Sequence, residues 1–219
     1  MPEYKKFLEK YKTGSNNRNS MEVYARGKRG VIYRDGAVCI KEKNPKSAVD
    51  TLGNETAYLE LMNKKGIGPR FIKFEKGKLH RDFVEGIRIS DFLEQEKDKQ
   101  RIIGVLKQVL RQCREMDKLK INKKELTNPY KDIIITPDNT AVMIDFERCR
   151  KTAKPKNVTQ FLQYINRNKR ELGKKGINID TGKIMELGKG YKEKSSEESF
   201  DKIINFFSIR LKNFQKSKN

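Results

Sequence analysis

A single histidine stands among 219 residues, so any centre that needs two imidazoles is excluded. Cysteine is nearly as scarce. Cys39, Cys113 and Cys149 are widely spaced, odd in number and form no C-x-x-C pair, which supports neither a disulfide framework nor a zinc ribbon. Each lies among apolar or strand-like residues and is expected as a buried thiol. No run of 18 or more apolar residues occurs, so no membrane-spanning helix is expected. The opening MPEYKKFLEKYK lacks the apolar stretch of a signal peptide, and a cytoplasmic protein without a membrane partner is the expectation. Whatever chemistry the chain performs is left to carboxylates, lysines and backbone amides.

Acidic residues are also short: 29 Asp and Glu face 50 Lys and Arg, a formal net charge of +21. That excess would steer the chain toward polyanions such as RNA, ribosomal particles, nucleotides or acidic proteins. It equally fits the lysine-rich surface of a heat-adapted protein, and composition leaves both open. Apolar residues make up 35%. A chain of this length hides most of its unfolded surface, enough for one domain or one domain of two small lobes.

Tyr4, Phe7, Leu8 and Tyr11 fall at helical spacing, and GSNNRNS at 14–20 reads as a linker. Strand patterns follow in MEVYARG, GVIYR and AVCIKEK, the last two joined by the hairpin signal Asp35-Gly36. Residues 47–65 read as a helix closed by Gly66. RFIKF and KLHRDFVEG complete the sheet. The spacing predicts one helix from Ile89 to Leu119, a second hairpin across DIIIT and AVMIDF, and basic helices from about 156. The last of these starts at Ser195 or Ser196, with Glu198 placed for a capping box. Its apolar stripe is Phe200, Ile203, Ile204, Phe207 and Leu211.

Several residues stand out chemically. Ala25-Arg26-Gly27-Lys28-Arg29-Gly30 approximates G-x-G-x-x-G between two strands; glycines let backbone amides approach phosphates where a Cβ would collide. Lys41 ends the apolar strand AVCIK, and Glu55 follows on the next helix, with Glu60 as the alternative partner. Asp132 precedes IIIT, and Asp145 sits in Ile144-Asp145-Phe146-Glu147, 13 residues on (145 − 132). Two carboxylates at the ends of one hairpin can share Mg²⁺, a hard cation that prefers oxygen. His80-Arg81-Asp82 spells the start of a protein-kinase catalytic loop, H-R-D, which needs an Asn five residues after its Asp. Position 87 is Ile, and Asp145 lies 63 residues downstream of Asp82 (145 − 82). The triplet is not that loop.

Together these motifs resemble the atypical, archaeal predicted serine/threonine protein kinases related to the Rio and Kae-associated kinases, whose metal motif of IDFER type is followed by a segment like Asn157–Tyr164, NVTQFLQY. The resemblance covers about residues 21–170. It implies a two-lobed, protein-kinase-like α+β fold: a small β-sheet N-lobe with one helix over 21–85, and a compact, mostly helical C-lobe over 86–219. The latter would hold the catalytic hairpin 123–150 and the basic C-terminal helices, while 1–20 form a helix and linker outside the lobes.

The resemblance further implies that Gly27 and Gly30 cover the phosphates of ATP and that Lys41, aligned by Glu55, holds them. The backbone of Asp82 and Val84 in RDFVEG would meet adenine as a hinge, and Asp132 and Asp145 would bind Mg²⁺. Five residues before Asp132 stands Thr127, not an acid. Glu125 in Lys124-Glu125-Leu126 is the expected base if two residues are inserted, its extra methylene absorbing a displacement. Lys131 could neutralise the transferring phosphate. No A-P-E element follows Asp145, which implies regulation without activation-loop phosphorylation. The expected activity is that of an Mg-ATP-dependent serine/threonine protein kinase acting on a protein. Two alternatives keep the nucleotide: a Rio-like ATPase acting on RNA or ribosomal particles, suggested by the charge, and an ATP-binding pseudokinase scaffold, suggested by the irregular base.

Overall fold

The computed structural model describes residues 22–215; the helix expected at 4–11 and the linker at 14–20 lie outside the described residues. The chain is α+β. Its first half is a five-stranded antiparallel sheet, ordered β1-β2-β3-β5-β4. The strands are β1 (Glu22–Arg26), β2 (Gly30–Asp35), β3 (Val38–Lys43), β4 (Phe71–Glu75) and β5 (Lys78–Asp82). Helix α1 (Leu52–Asn63) crosses between β3 and β4 and packs on one face of the sheet. It buries Leu52, Glu55, Leu59 and Met62. The one helix and the strands expected over 21–85 are present, within a few residues of their predicted bounds.

The chain leaves this sheet through Phe83–Gly86 and enters a helical region. Gly86 adopts φ 155°, and a Cβ there would stand 2.2 Å from the Ile135 carbonyl oxygen, so the connector can lie against the next sheet only as glycine. That small sheet has the order β6-β8-β9, from Ile87–Arg88, Ile133–Ile135 and Ala141–Met143. The hairpin expected across DIIIT and AVMIDF is therefore present, joined by β6. A separate two-stranded pair, β7 (Ile121–Lys123) with β10 (Cys149–Lys151), flanks it.

The single helix expected over Ile89–Leu119 is instead two: α2 (Ile89–Gln95) and α3 (Lys99–Lys118). Local side-chain bonding explains the break. Glu96 Oε1 accepts from the amides of Lys97 and Asp98, and Asp98 Oδ1 accepts from those of Gln100 and Arg101, which caps a new helix rather than continuing the old one. The stripe of α3 (Ile102, Ile103, Leu106, Val109, Leu110 and Cys113) is wholly buried, as its period requires. It forms the centre of the core with α4 (Asn157–Arg167), α5 (Lys169–Lys174), α6 (Thr181–Lys194) and α7 (Glu197–Gln215). All three cysteines are buried and free.

Helix α7 starts from Ser196, whose Oγ accepts from the Ser199 amide while the Ser199 hydroxyl donates to the Ser196 carbonyl. Glu198 pairs with Lys202 instead of closing the expected capping box, because it stands one position too early to reach back. Among the described residues no helix is long and apolar enough to cross a membrane.

Candidate functional site

The sheet and the β8–β9 hairpin meet at Lys41. Antiparallel register with β5 and β2 fixes this residue in the middle of the sheet, where its stem is buried and its ammonium projects toward the hairpin. Lys41 Nζ donates to Glu55 Oε2 at 2.6 Å and to Asp145 Oδ1 at 3.4 Å, and Glu147 Oε2 lies 3.9 Å away. Burial works against the charge on Lys41, but the Glu55 and Asp145 carboxylates outweigh it and hold the ammonium above its ordinary pKa. Glu55, one turn into α1, is the partner; Glu60, the alternative, is exposed.

Gly30 stands directly over the lysine stem: a Cβ there would lie 2.9 Å from Lys41 Cε. The Gly27 amide donates to the Gly30 carbonyl at 2.8 Å, so the glycine loop is a tight turn beside Lys41. Arg29 of that turn reaches across to Glu147 Oε1 at 2.8 Å, and the Thr51 hydroxyl donates to Oε2 of the same carboxylate at 2.9 Å. Glu147 thus ties the turn, the start of α1 and the strand after Asp145 together. In the sequence it stands out only as the last residue of Ile144-Asp145-Phe146-Glu147.

Asp145 has φ 61°, a left-handed conformation that Asp tolerates better than most residues. Its carboxyl is pushed up by burial and pulled down by Lys41 and Lys123, and the lysines win; it is a carboxylate. Lys123 is the residue that sequence reasoning missed. It is 1% exposed, its Nζ donates to the carbonyls of Ile144, at 3.0 Å, and Asp145, and it stands 4.0 Å from Asp132 Oδ1. The run INKKEL gives no periodic signal for it, since a three-residue strand shows no alternation to read.

Asp132, at the foot of β8, is held by its amide to the Pro129 carbonyl and by its own carbonyl to the Ile144 amide. Burial, reinforced by Asp145, Glu125 and Glu147 and opposed by Lys123, pushes its pKa up to about 6. The carboxylates that come closest to one another are Glu55, Asp145 and Glu147, with one oxygen of each within 4.8 Å of the others. Asp132 stands outside that trio but feels its charge. All four offer only oxygen, the donor set of a hard divalent cation.

Glu125 accepts from Arg148 Nη1 at 2.5 Å. It lies near enough to Asp132 to raise its pKa, yet its carboxylate is paired away. Lys131 is exposed, with its ammonium 5.2 Å from the Tyr130 ring centroid. At the connector, the Asp82 amide donates to the Arg70 carbonyl at 2.9 Å and its carboxylate is gripped twice by Arg70. The Val84 amide has no partner among the described residues. Both line a cleft of about 660 Å³ with Arg34, Phe83, Glu85 and Pro137, and neither Lys41 nor Asp145 lines it. No protein-family model and no curated protein matches this chain.

Proposed function

We propose that the chain is a phosphotransferase using a magnesium nucleoside triphosphate, ATP by the resemblance above, with a serine or threonine hydroxyl of a protein as acceptor. In this reading the sheet and the helical region are the two lobes of a protein-kinase-like fold, and the charged cluster lies in the groove between them. One observation carries it: an ammonium from the sheet bonds an acid of α1 at 2.6 Å and reaches an acid of the hairpin at 3.4 Å. Structural ion pairs need one partner. A lysine shared between an aligning acid and a second, strained acid suits a charge that must also meet a phosphate.

Lys41 would hold the phosphates, Glu55 would keep it extended, and the Gly27–Gly30 turn would cover them. Asp145 and Asp132, with Glu147 beside them, are the residues that would hold Mg²⁺. The ion, when bound, supplies positive charge that offsets the charge developing on the phosphoryl oxygens. Glu125 would receive the proton of the attacking hydroxyl once Arg148 releases it. Lys123, bonded to the backbone at Asp145, fixes the height of that carboxylate. Phosphoryl transfer depends on such positioning more than on covalent chemistry.

The test is transfer of label from γ-labelled triphosphate to the chain itself and to a mixed protein substrate, with Mg²⁺. Wild type transfers; Lys41→Ala and Asp145→Asn do not. Equal transfer by all three would refute the assignment. The Glu125–Arg148 pair favours a second reading, a pseudokinase scaffold that binds nucleotide and transfers nothing. Nucleotide binding without label transfer would select it. The basic surface leaves RNA or a ribosomal particle as a partner for a Rio-like ATPase, and binding to RNA that weakens steeply with salt is its signature.

A further inference from the structure

Arg81 carries a buried guanidinium that none of these roles uses. The residue is 7% exposed, and its Nε is buried with no hydrogen-bond partner. Its one hydrogen bond runs from Nη1 to the carbonyl of the next residue, Asp82, at 3.2 Å. Among the described residues no carboxylate stands within ion-pair reach of it. The other buried arginine, Arg114, also has an unpartnered Nε, but its terminal nitrogens are engaged: they donate to Tyr191 at 3.0 Å and pair with Glu197 at 3.4 Å. A guanidinium cannot shed its proton; Glu55 feels its charge from beyond ion-pair distance, and a buried charge without a close partner is unfavourable. A ligand bearing acceptors would relieve it.

Register locates that ligand. Strands β3 and β5 pair Cys39 with Arg81 and Lys41 with Leu79, so Arg81 and Lys41 project from the same face of the sheet. The glycine turn lies at the opposite end of β3, where Gly30 pairs with Lys43. Along β5, Arg81 stands about 7 Å nearer the connector than the position opposite Lys41. A triphosphate held at Lys41 under the glycine turn would therefore turn its base, not its phosphates, toward Arg81.

We infer that Arg81 selects a 6-oxopurine nucleotide, such as guanosine triphosphate, over ATP; this rests on the phosphotransferase reading and revises its nucleotide. On the same edge adenine offers one acceptor, N7, beside its 6-amine, a donor that would face the donors of Arg81. Guanine instead offers O6 and N7, two adjacent acceptors that match the guanidinium fork, as they do where arginine reads guanine in nucleic acids.

The experiment measures equilibrium binding of Mg-GTP, Mg-ITP and Mg-ATP to the full chain, to Arg81→Met and to Lys41→Ala. ITP keeps O6 and N7 but lacks the 2-amine, so it isolates the 6-oxo contact. Wild type binds GTP and ITP at least about 10-fold more tightly than ATP, the low end of one bidentate base contact. Arg81→Met, its folding checked by urea titration, brings the three within about threefold. ATP binding as tight as GTP in wild type, or a preference unchanged in Arg81→Met, overturns the inference; if Lys41→Ala still abolishes binding, the phosphotransferase reading survives. If no triphosphate binds wild type, both fall.

Discussion

Around Asp117 every strong contact is filled, whereas around Asp145 charge is crowded and left over. Asp117 Oδ1 accepts from the amide of Asn157, at 3.0 Å, and from its Nδ2, at 2.7 Å. Its Oδ2 accepts from the Tyr191 hydroxyl at 3.0 Å and the Val158 amide at 3.3 Å. The carboxylate thereby caps α4 from the end of α3, and Tyr191 brings in α6. Asp145 shares one ammonium with Glu55 and sits beside Glu147 and Asp132 in a left-handed backbone. Two lysines and Arg29 face four carboxylates there. The Asp117 carboxylate is bonded at both oxygens, with Arg114 Nε the one buried atom beside it without a partner; a site built for a ligand keeps carboxylate charge in reserve and accepts the strain. The two are joined, since Asn157 Oδ1 accepts the Lys123 amide and Asn157 Nδ2 donates to the Ile121 carbonyl. The satisfied network holds the strand that carries Lys123 to Asp145.

The contrast breaks most sharply with paired substitutions. Asp145→Asn should lower phosphate transfer by on the order of 10³-fold, the scale of losing one preorganised charge at a reaction centre. Asn tolerates the positive φ, so urea unfolding should shift by less than about 1 kcal/mol. Asp117→Ala should do the reverse. It strands the Asn157 and Val158 amides, the Asn157 side chain and the Tyr191 hydroxyl, and should cost about 3–5 kcal/mol in the same urea titration. Equal stability losses in both variants would erase the distinction between the clusters.

Much of this was legible in the sequence, and the reasons differ by element. The long stripe of α3 repeats often enough to specify its own element, and the Asp35-Gly36 turn marks the β2–β3 hairpin. Lys41, Glu55 and Asp145 follow in the order that the kinase resemblance implies for one site, and the structure brings them together. Lys123 and the β7–β10 pair were invisible because three-residue strands carry no period. The break at Glu96–Asp98 is made by side chains turning back on the backbone, which periodicity does not register. Asp117 looked like one polar residue among many on α3; only the arrival of Asn157 and Tyr191, 40 and 74 residues later, gives it a role. Arg81 was read as part of a misleading triplet, and nothing short of strand register shows which way it faces.

Asp132 sharpens the comparison through pH. Its folded pKa of about 6 lies above the ordinary carboxyl value of about 3.9. Between those values the folded chain holds a proton that the unfolded chain has lost, so stability falls as pH rises from about 4 to 6 and levels off above about 7. Two pKa units correspond to about 3 kcal/mol. Asp132→Asn lacks this loss, so in unfolding titrations the variant should gain on wild type across that window. A constant difference from pH 4 to 7.5 would mean that Asp132 is not crowded by its neighbours. Below about 4 the two should unfold alike.

The smallest effect concerns the satisfied side alone. Ser196 holds the first turn of α7 through the Ser199 amide at 3.2 Å, next to Glu197, which pairs with Arg114 and Lys118. Ser196→Ala should cost about 1 kcal/mol, the usual worth of an N-cap hydroxyl. Glu198→Ala, which removes only an exposed pair with Lys202, should leave the melting curve where it was. Neither should change phosphate transfer, because α7 touches the Arg114–Asp117 network and no residue of the charged cluster. A drop in transfer from Ser196→Ala at a temperature where the chain stays folded would show that the two clusters are mechanically coupled through α3, and that the stable network tunes the reactive one as well as supporting it.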